Sequence, residues 1–124
     1  MNRRDSVLAR YRQMASFEEY DISRFDQPGA DGDAPIHAAA FLGNLDDIRV
    51  MLQDSIDVNL VGDIGNTPLH YSALKGHRDV VKYLLSQGAN PEIKNDYGDT
   101  PLDFVEDSSS EISHLLQNIA DDGE

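Results

Sequence analysis

Gly65-Asn66-Thr67-Pro68-Leu69-His70-Tyr71-Ser72-Ala73-Leu74-Lys75-Gly76-His77 decides the fold, because the chain writes this passage more than once. Ala34-Pro35-Ile36-His37-Ala38-Ala39-Ala40 precedes it, and Thr100-Pro101-Leu102-Asp103-Phe104-Val105-Glu106 follows it in degraded form. Pro35, Pro68 and Pro101 are 33 residues apart, as are Gly32, Gly65 and Gly98, and Gly43 and Gly76 keep the same interval. Further along, Met51-Leu52 matches Leu84-Leu85, and Asp57-Val58-Asn59 matches Asn90-Pro91-Glu92. A fixed period of this length marks stacked units, each too small to bury its apolar face alone.

Each unit reads as two helices and a turn. Thr67 and Thr100 can cap a helix with their hydroxyls, and the proline that follows suits the first helical position, where no N–H is needed. Ala39, Ala40, Ser72 and Ala73 are small enough to let neighbouring first helices approach closely. Gly43 and Gly76 end those helices, being free to turn left-handed. Ile48, Met51 and Leu52, then Val80, Val81, Leu84 and Leu85, give the second helices an apolar face, and Gly88 ends the second of them. Asp63-Ile64-Gly65 and Asp96-Tyr97-Gly98 read as turn tips.

At these residues the chain resembles the ankyrin-repeat family, whose unit runs Gly-x-Thr-Pro-Leu-His-x-Ala-Ala-x-x-Gly-His, then a second helix, then Gly-Ala-Asp-Val-Asn. The resemblance covers roughly residues 24 to 119 and is closest through Gly65–His70, Gly76-His77 and Gly88-Ala89-Asn90. It implies an all-α solenoid of stacked helix-turn-helix units with β-turn fingers projecting from one side. On this reading residues 5–24 form an N-terminal capping helix (5–20) and lead-in, and 25–33 a half finger. Repeats 1 and 2 are 34–66 and 67–99, 100–120 is a degenerate capping repeat, and 121–124 an acidic tail. The apolar positions Val7, Leu8, Tyr11, Met14 and Ala15 put one face of the capping helix on the stack. The last repeat carries Asp103 for His and Glu106 for Ala, and lacks two residues between Asp107 and Leu115. Ser108-Ser109-Ser110-Glu111 offers a capping box for a final helix bearing Ile112, Leu115, Leu116 and Ile119. Polar changes suit a terminal unit whose outer face meets water.

Composition narrows the function. The chain of 124 residues carries a net charge of −13, and the charge is uneven. Residues 1–24 hold five arginines and four acids, whereas residues 25–124 hold five bases (Arg49, Lys75, Arg78, Lys82, Lys94) against nineteen acids, about −14 by count. Such a body repels phosphate backbones and anionic membranes, and it serves either to attract a basic protein or only to keep the chain soluble. Cysteine is absent, so there is no disulfide or thiolate metal site. No apolar run reaches the roughly 18 residues of a membrane span, and none follows Arg3-Arg4 to make an export signal. A cytoplasmic protein, monomeric on its own, is expected.

Histidine invites chemistry, but the pattern does not support it. His37 and His70 hold equivalent positions, where the resemblance implies hydrogen bonds to the local Thr and neighbouring backbone; Ala34 in place of that Thr leaves His37 part of this network. His77 matches the family's Gly-His turn, and His114 reads as a surface residue of the last helix. No two histidines stand at i, i+4 and none is near a cysteine, so no metal site is expected. Asp46 and Asp47 are adjacent on a helix and point apart, and Asp31-Gly32-Asp33 lacks the rest of a calcium loop. Gly62, Gly65 and Gly98 are turn residues, not a phosphate cradle. No catalytic residue and no cofactor is expected.

The resemblance places partner binding on the fingers and first helices. Carried over residue by residue, the variable positions are Val61, Asp63, Ile64 and Asn66, then Lys94, Asp96, Tyr97 and Asp99, in the fingers. On the first helices they are Phe41 and Leu42, Leu74 and Lys75, and finally Asp107. Pro28, Ala30 and Asp31 occupy the half finger. Phe41, Leu42, Ile64, Leu74 and Tyr97 are apolar where a bare scaffold would be polar, which marks an interaction site. Phe41 and Leu42 have a second reading, as packing against the capping helix. With no second domain, anchor or catalytic motif visible, the expected function is protein binding: an inhibitor or immunity-type protein that neutralises a basic partner such as a toxin, or else an adaptor that bridges two proteins.

Overall fold

A computed structural model describes residues 2–107 and 110–122. Among them are six α-helices and no strand: α1 (Arg3–Arg12), α2 (Pro35–Leu42), α3 (Leu45–Leu52), α4 (Pro68–Leu74), α5 (Arg78–Ser86) and α6 (Glu111–Asp122). A short 3₁₀ turn, Pro101–Phe104, stands where a third inner helix is expected. In the inner layer α2 packs on α4 and α4 on this turn; in the outer layer α1 packs on α3, α3 on α5 and α5 on α6. The result is an all-α stack that grows along one direction. No helix among the described residues is long and apolar enough to cross a membrane.

The local chemistry is that of the repeat. Ala34 and Thr67 share one extended conformation (φ −90°, ψ 168°) ahead of the prolines that open α2 and α4. Ala39, Ala40, Ser72 and Ala73 are buried between the inner helices, and Ile48, Met51, Val81 and Leu84 fill the space between layers. Gly43 ends α2 at φ +75°, and a Cβ there would lie 2.5 Å from the His77 ring. That histidine leans across the unit boundary, its Nε2 2.8 Å from the Phe41 carbonyl. Left-handed geometry and close approach therefore both call for glycine at position 43.

The N-terminal helix is shorter than the expected 5–20. It ends at Arg12, after which Met14, Phe17 and Tyr20 donate in i→i−3 steps to Tyr11, Met14 and Phe17. These tight turns swing Phe17 into the core, where it is fully buried, while Ala15 faces water. A straight helix cannot aim both Tyr11 and Phe17 at one core, since six steps of about 100° leave the two side chains about 120° apart around the axis. The helix is fastened to α3 by polar groups as well. Arg10 makes a two-pronged bond to Asp47 (2.8 and 2.6 Å), and the Tyr11 hydroxyl donates to the same carboxylate at 2.9 Å. Arg4 reaches Asp54 at 2.8 Å. The helix α1 thus stands where the outer helix of a preceding unit would stand.

The third unit departs from its siblings more than expected. Its first helix is reduced to the 3₁₀ turn, because the chain is two residues shorter and bulky Val105 and Glu106 replace the small residues that close packing needs. Asp103 substitutes for the repeat histidine by accepting from the Thr100 N–H (2.8 Å) and hydroxyl (3.1 Å). The Ser110 hydroxyl caps α6 through the Ser113 N–H at 3.2 Å. That helix runs on to Asp122, taking in two residues read from the sequence as tail. Ser108, Ser109, Gly123 and Glu124 lie outside the described residues, as does the side chain of Ile119.

Candidate functional site

Hydrogen bonds lace the fingers side by side. The Asp63 N–H donates to Asp33 Oδ1 (2.8 Å), joining the half finger to the first full one. The Asp96 N–H donates to the Ile64 carbonyl (2.8 Å) and Asn95 Nδ2 to Asn66 Oδ1 (2.9 Å), joining the first to the second. Asn95 Oδ1 also accepts from the N–H groups of Tyr97 and Asp99, which shapes the second tip. Its equivalent in the first finger is Gly62, where a Cβ would meet Asp33 Oδ1 at 2.3 Å and the His37 ring at 2.8 Å.

The repeat histidines tie inner helix to finger. Nδ1 of His37 accepts from the Ala34 N–H (2.9 Å), so Nε2 carries the proton and donates to the Leu60 carbonyl (2.8 Å). His70 repeats this with the Thr67 N–H (3.0 Å) and the Asp99 carbonyl (2.8 Å), and gains the Thr67 hydroxyl at 2.8 Å. Both rings are buried, and burial pushes both pKa values down, which keeps them neutral. Edge-on rings one position later in the next unit close each contact: Tyr71 against His37 at 6.0 Å, and Phe104 against His70 at 5.6 Å.

Beside His37 the surface opens into a groove of about 380 Å³. Its walls are Met14 and Phe17 from the N-terminal turns, Phe41 and Leu42 from α2, and Tyr71 from α4. Asp31, Asp33 and Asp63 stand along it. The Tyr71 hydroxyl donates to both oxygens of Asp33 at 2.8 Å, and its pKa is raised by burial and by that carboxylate. Burial also pushes the Asp33 carboxyl up, against the donors from Asp63 and Tyr71. Phe41 meets Tyr71 edge-on at 6.1 Å and carries Lys75 Nζ 5.0 Å above its ring. Among the described residues no group of three or more His, Cys, Asp or Glu is placed to hold a metal ion.

A family model for ankyrin repeats matches residues 12–95 and 61–121, in 3 copies. The chain belongs to the ankyrin-repeat family. Comparison with curated proteins returns no match. Ankyrin repeats are generally protein-interaction modules and typically non-catalytic.

On this ankyrin stack the residues read from the sequence as partner-binding fall into distinct groups. Phe41, Leu42 and Asp63 meet at the groove. The second reading of Phe41 and Leu42 holds only in part: Met14 and Phe17 face them across the groove, yet both stay exposed. Lys75 sits on Phe41, with Leu74 beside it and exposed. Ile64 and Tyr97 are neighbours through the Asp96–Ile64 bond, Tyr97 being 76% exposed and Val61 57%. Asn66, Asp96 and Asp99 are partly committed to lacing the fingers. Lys94 stands apart, on a hollow against α6 with Pro91, Leu102 and Leu116. The sequence reading missed Met14, Phe17, Asp33 and Tyr71 as groove residues. Tyr71 could have been found, since it puts a hydroxyl at the variable position that follows the repeat histidine; Met14 and Phe17 depended on the unforeseen turn after Arg12.

Proposed function

We propose that this ankyrin protein is a non-catalytic binder that neutralises a basic protein, as an inhibitor or immunity-type protein does, through its fingers and inner helices. The observation that supports this reading is the set of exposed apolar side chains Val61, Ile64, Leu74 and Tyr97 on a body of about −14 by count. Large apolar groups inside a polar, mainly acidic rim favour a protein of opposite charge over a small metabolite. One surface is enough to block an active cleft. A cysteine-free chain is suited to a cytoplasmic setting, acting as a monomer that forms a one-to-one complex.

The test is stoichiometry with effect. A one-to-one complex should abolish the partner's activity, and association should slow steeply as salt rises. Replacing Ile64 and Tyr97 together with Ala should weaken binding by roughly tenfold or more, with helicity unchanged. A ternary complex with activity intact would favour the adaptor reading instead. That second reading has one observation behind it: the outer helices present a hollow of different character, with Arg49 5.3 Å above the Tyr83 ring beside Leu45 and Lys82.

A further inference from the structure

Resting on that reading but reaching a residue-sized site within it, we propose that the groove between residues 14–17 and α2 anchors a lysine or arginine side chain of a protein partner. Its aliphatic stem lies on Phe41 and Leu42, and its charge points to Asp31 and Asp63. The volume of about 380 Å³ is at the small end of sites that enclose a ligand group, on the order of 300 Å³ upward. The charge of the occupant follows from three carboxylates gathered along one groove, none of them neutralised by a base among the described residues. Asp5, Asp26, Asp47, Asp54, Asp79 and Glu111 each have an arginine partner. Asp31, Asp33 and Asp63 have no lysine or arginine partner among the described residues; the nearest ionisable base is buried His37, 3.9 Å from Asp33.

The site is also held ready. Asp31 accepts from the Asp33 N–H and the Ser16 hydroxyl, both at 3.0 Å, which fixes it before any ligand arrives. Asp33 is fixed by Asp63 and Tyr71, and its burial makes an incoming cation the more favourable. Preset acceptors bind without the entropy cost of ordering themselves. Phe41 already accepts one cation, Lys75, over its ring. An apolar segment without a cation would strip water from three carboxylates and offer nothing back. An anionic one would be repelled.

The experiment is a selection from a displayed library of linear peptides on the full chain, with D31N/D63N and L42K as separate counter-targets. Both carboxylates and Leu42 are exposed, and Asn keeps the Asp31 acceptor, so these variants should fold. Enriched peptides are expected to carry Lys or Arg beside an apolar residue and to lose at least tenfold in affinity on either variant. On titration, amide shifts should appear at Met14, Phe17, Phe41 and Leu42. Peptides without a cation, unchanged affinity for D31N/D63N, no enrichment over L42K, or displacement by spermine alone would overturn the proposal. The two readings fail separately. Partner binding lost in I64A/Y97A but kept in D31N/D63N removes the anchor and spares the proposed function, and the reverse result removes the finger strip.

Discussion

Two junctions in this stack are built to one plan and differ in what they leave open. At the second, His70 bonds Thr67 and Asp99, Asn66 bonds Asn95, and Phe104 closes over the ring. At the first, the positions 33 residues earlier hold His37, Ala34, Asn66, Asp33, Gly62 and Tyr71, but His37 Nε2 donates to the Leu60 carbonyl and not to that of Asn66. The cap conformation and the Nδ1 bond are the same, yet Nε2 reaches a carbonyl at a different repeat position, a hydroxyl is missing, an amide has become a carboxylate, and a phenyl has become a phenol. The second junction is closed by its own amide, hydroxyl and ring contacts. The first carries charge beside an apolar groove. Repetition therefore specifies the scaffold, and the departures from repetition create the candidate site.

The largest way to break the comparison is to remove each ring. His70→Ala deletes a buried, three-way hydrogen-bonded group and should cost about 2 to 4 kcal/mol, whereas His37→Ala, one bond poorer and beside an open groove, should cost about 1 kcal/mol less. Urea midpoints of the two variants check the order; equal losses would mean the Thr67 hydroxyl contributes nothing. Against a total stability of about 5 kcal/mol for a stack near the minimum size, the His70 variant should keep only about 1 to 3 kcal/mol, with a detectable unfolded fraction at the larger loss.

Acid gives a smaller effect with a definite sign. Burial holds both histidines below the ordinary value of about 6.5, so below that pH the unfolded chain takes up protons that the folded chain refuses. Stability should be flat above about pH 7 and fall below about 6.5, by up to roughly 1.4 kcal/mol per pH unit for each histidine. Each histidine has carboxylates that favour its charged form and soften this fall, Asp33 at 3.9 Å for His37 and Asp99 and Asp103 for His70. Urea titrations of the wild type and of His70→Gln between about pH 7.5 and 5.5 should show the slope shrinking in the variant. The smallest change sharpens the comparison by erasing part of it. Since Ala34 and Thr67 share φ and ψ, Ala34→Thr should restore the missing hydroxyl bond and add about 0.5 to 1 kcal/mol in the same assay.

Most of the scaffold was legible because its signals are local. Proline after a capping residue, glycine at a helix end and apolar residues at helical spacing each act within one unit, and the period multiplies them. The histidine bonds were legible through the resemblance, down to the part His37 lacks. What escaped reading depends on long-range fit. The turn after Arg12 is decided by Phe17 finding a core made from other units, and the loss of the third inner helix by bulky side chains meeting a stack that cannot widen. The groove combines the first of these with Tyr71 from the next unit, so no single stretch of sequence contains it. Exposure of Ile64 and Tyr97 was legible, whereas the lacing of Asn66 to Asn95 needed two fingers side by side.

Amide hydrogen exchange on the complex with the natural partner tests the account most directly. Slowed exchange is predicted across the tips around Ile64 and Tyr97 and at the ends of α2 and α4, with the outer helices α3 and α5 unchanged. Protection confined to those outer helices would contradict it.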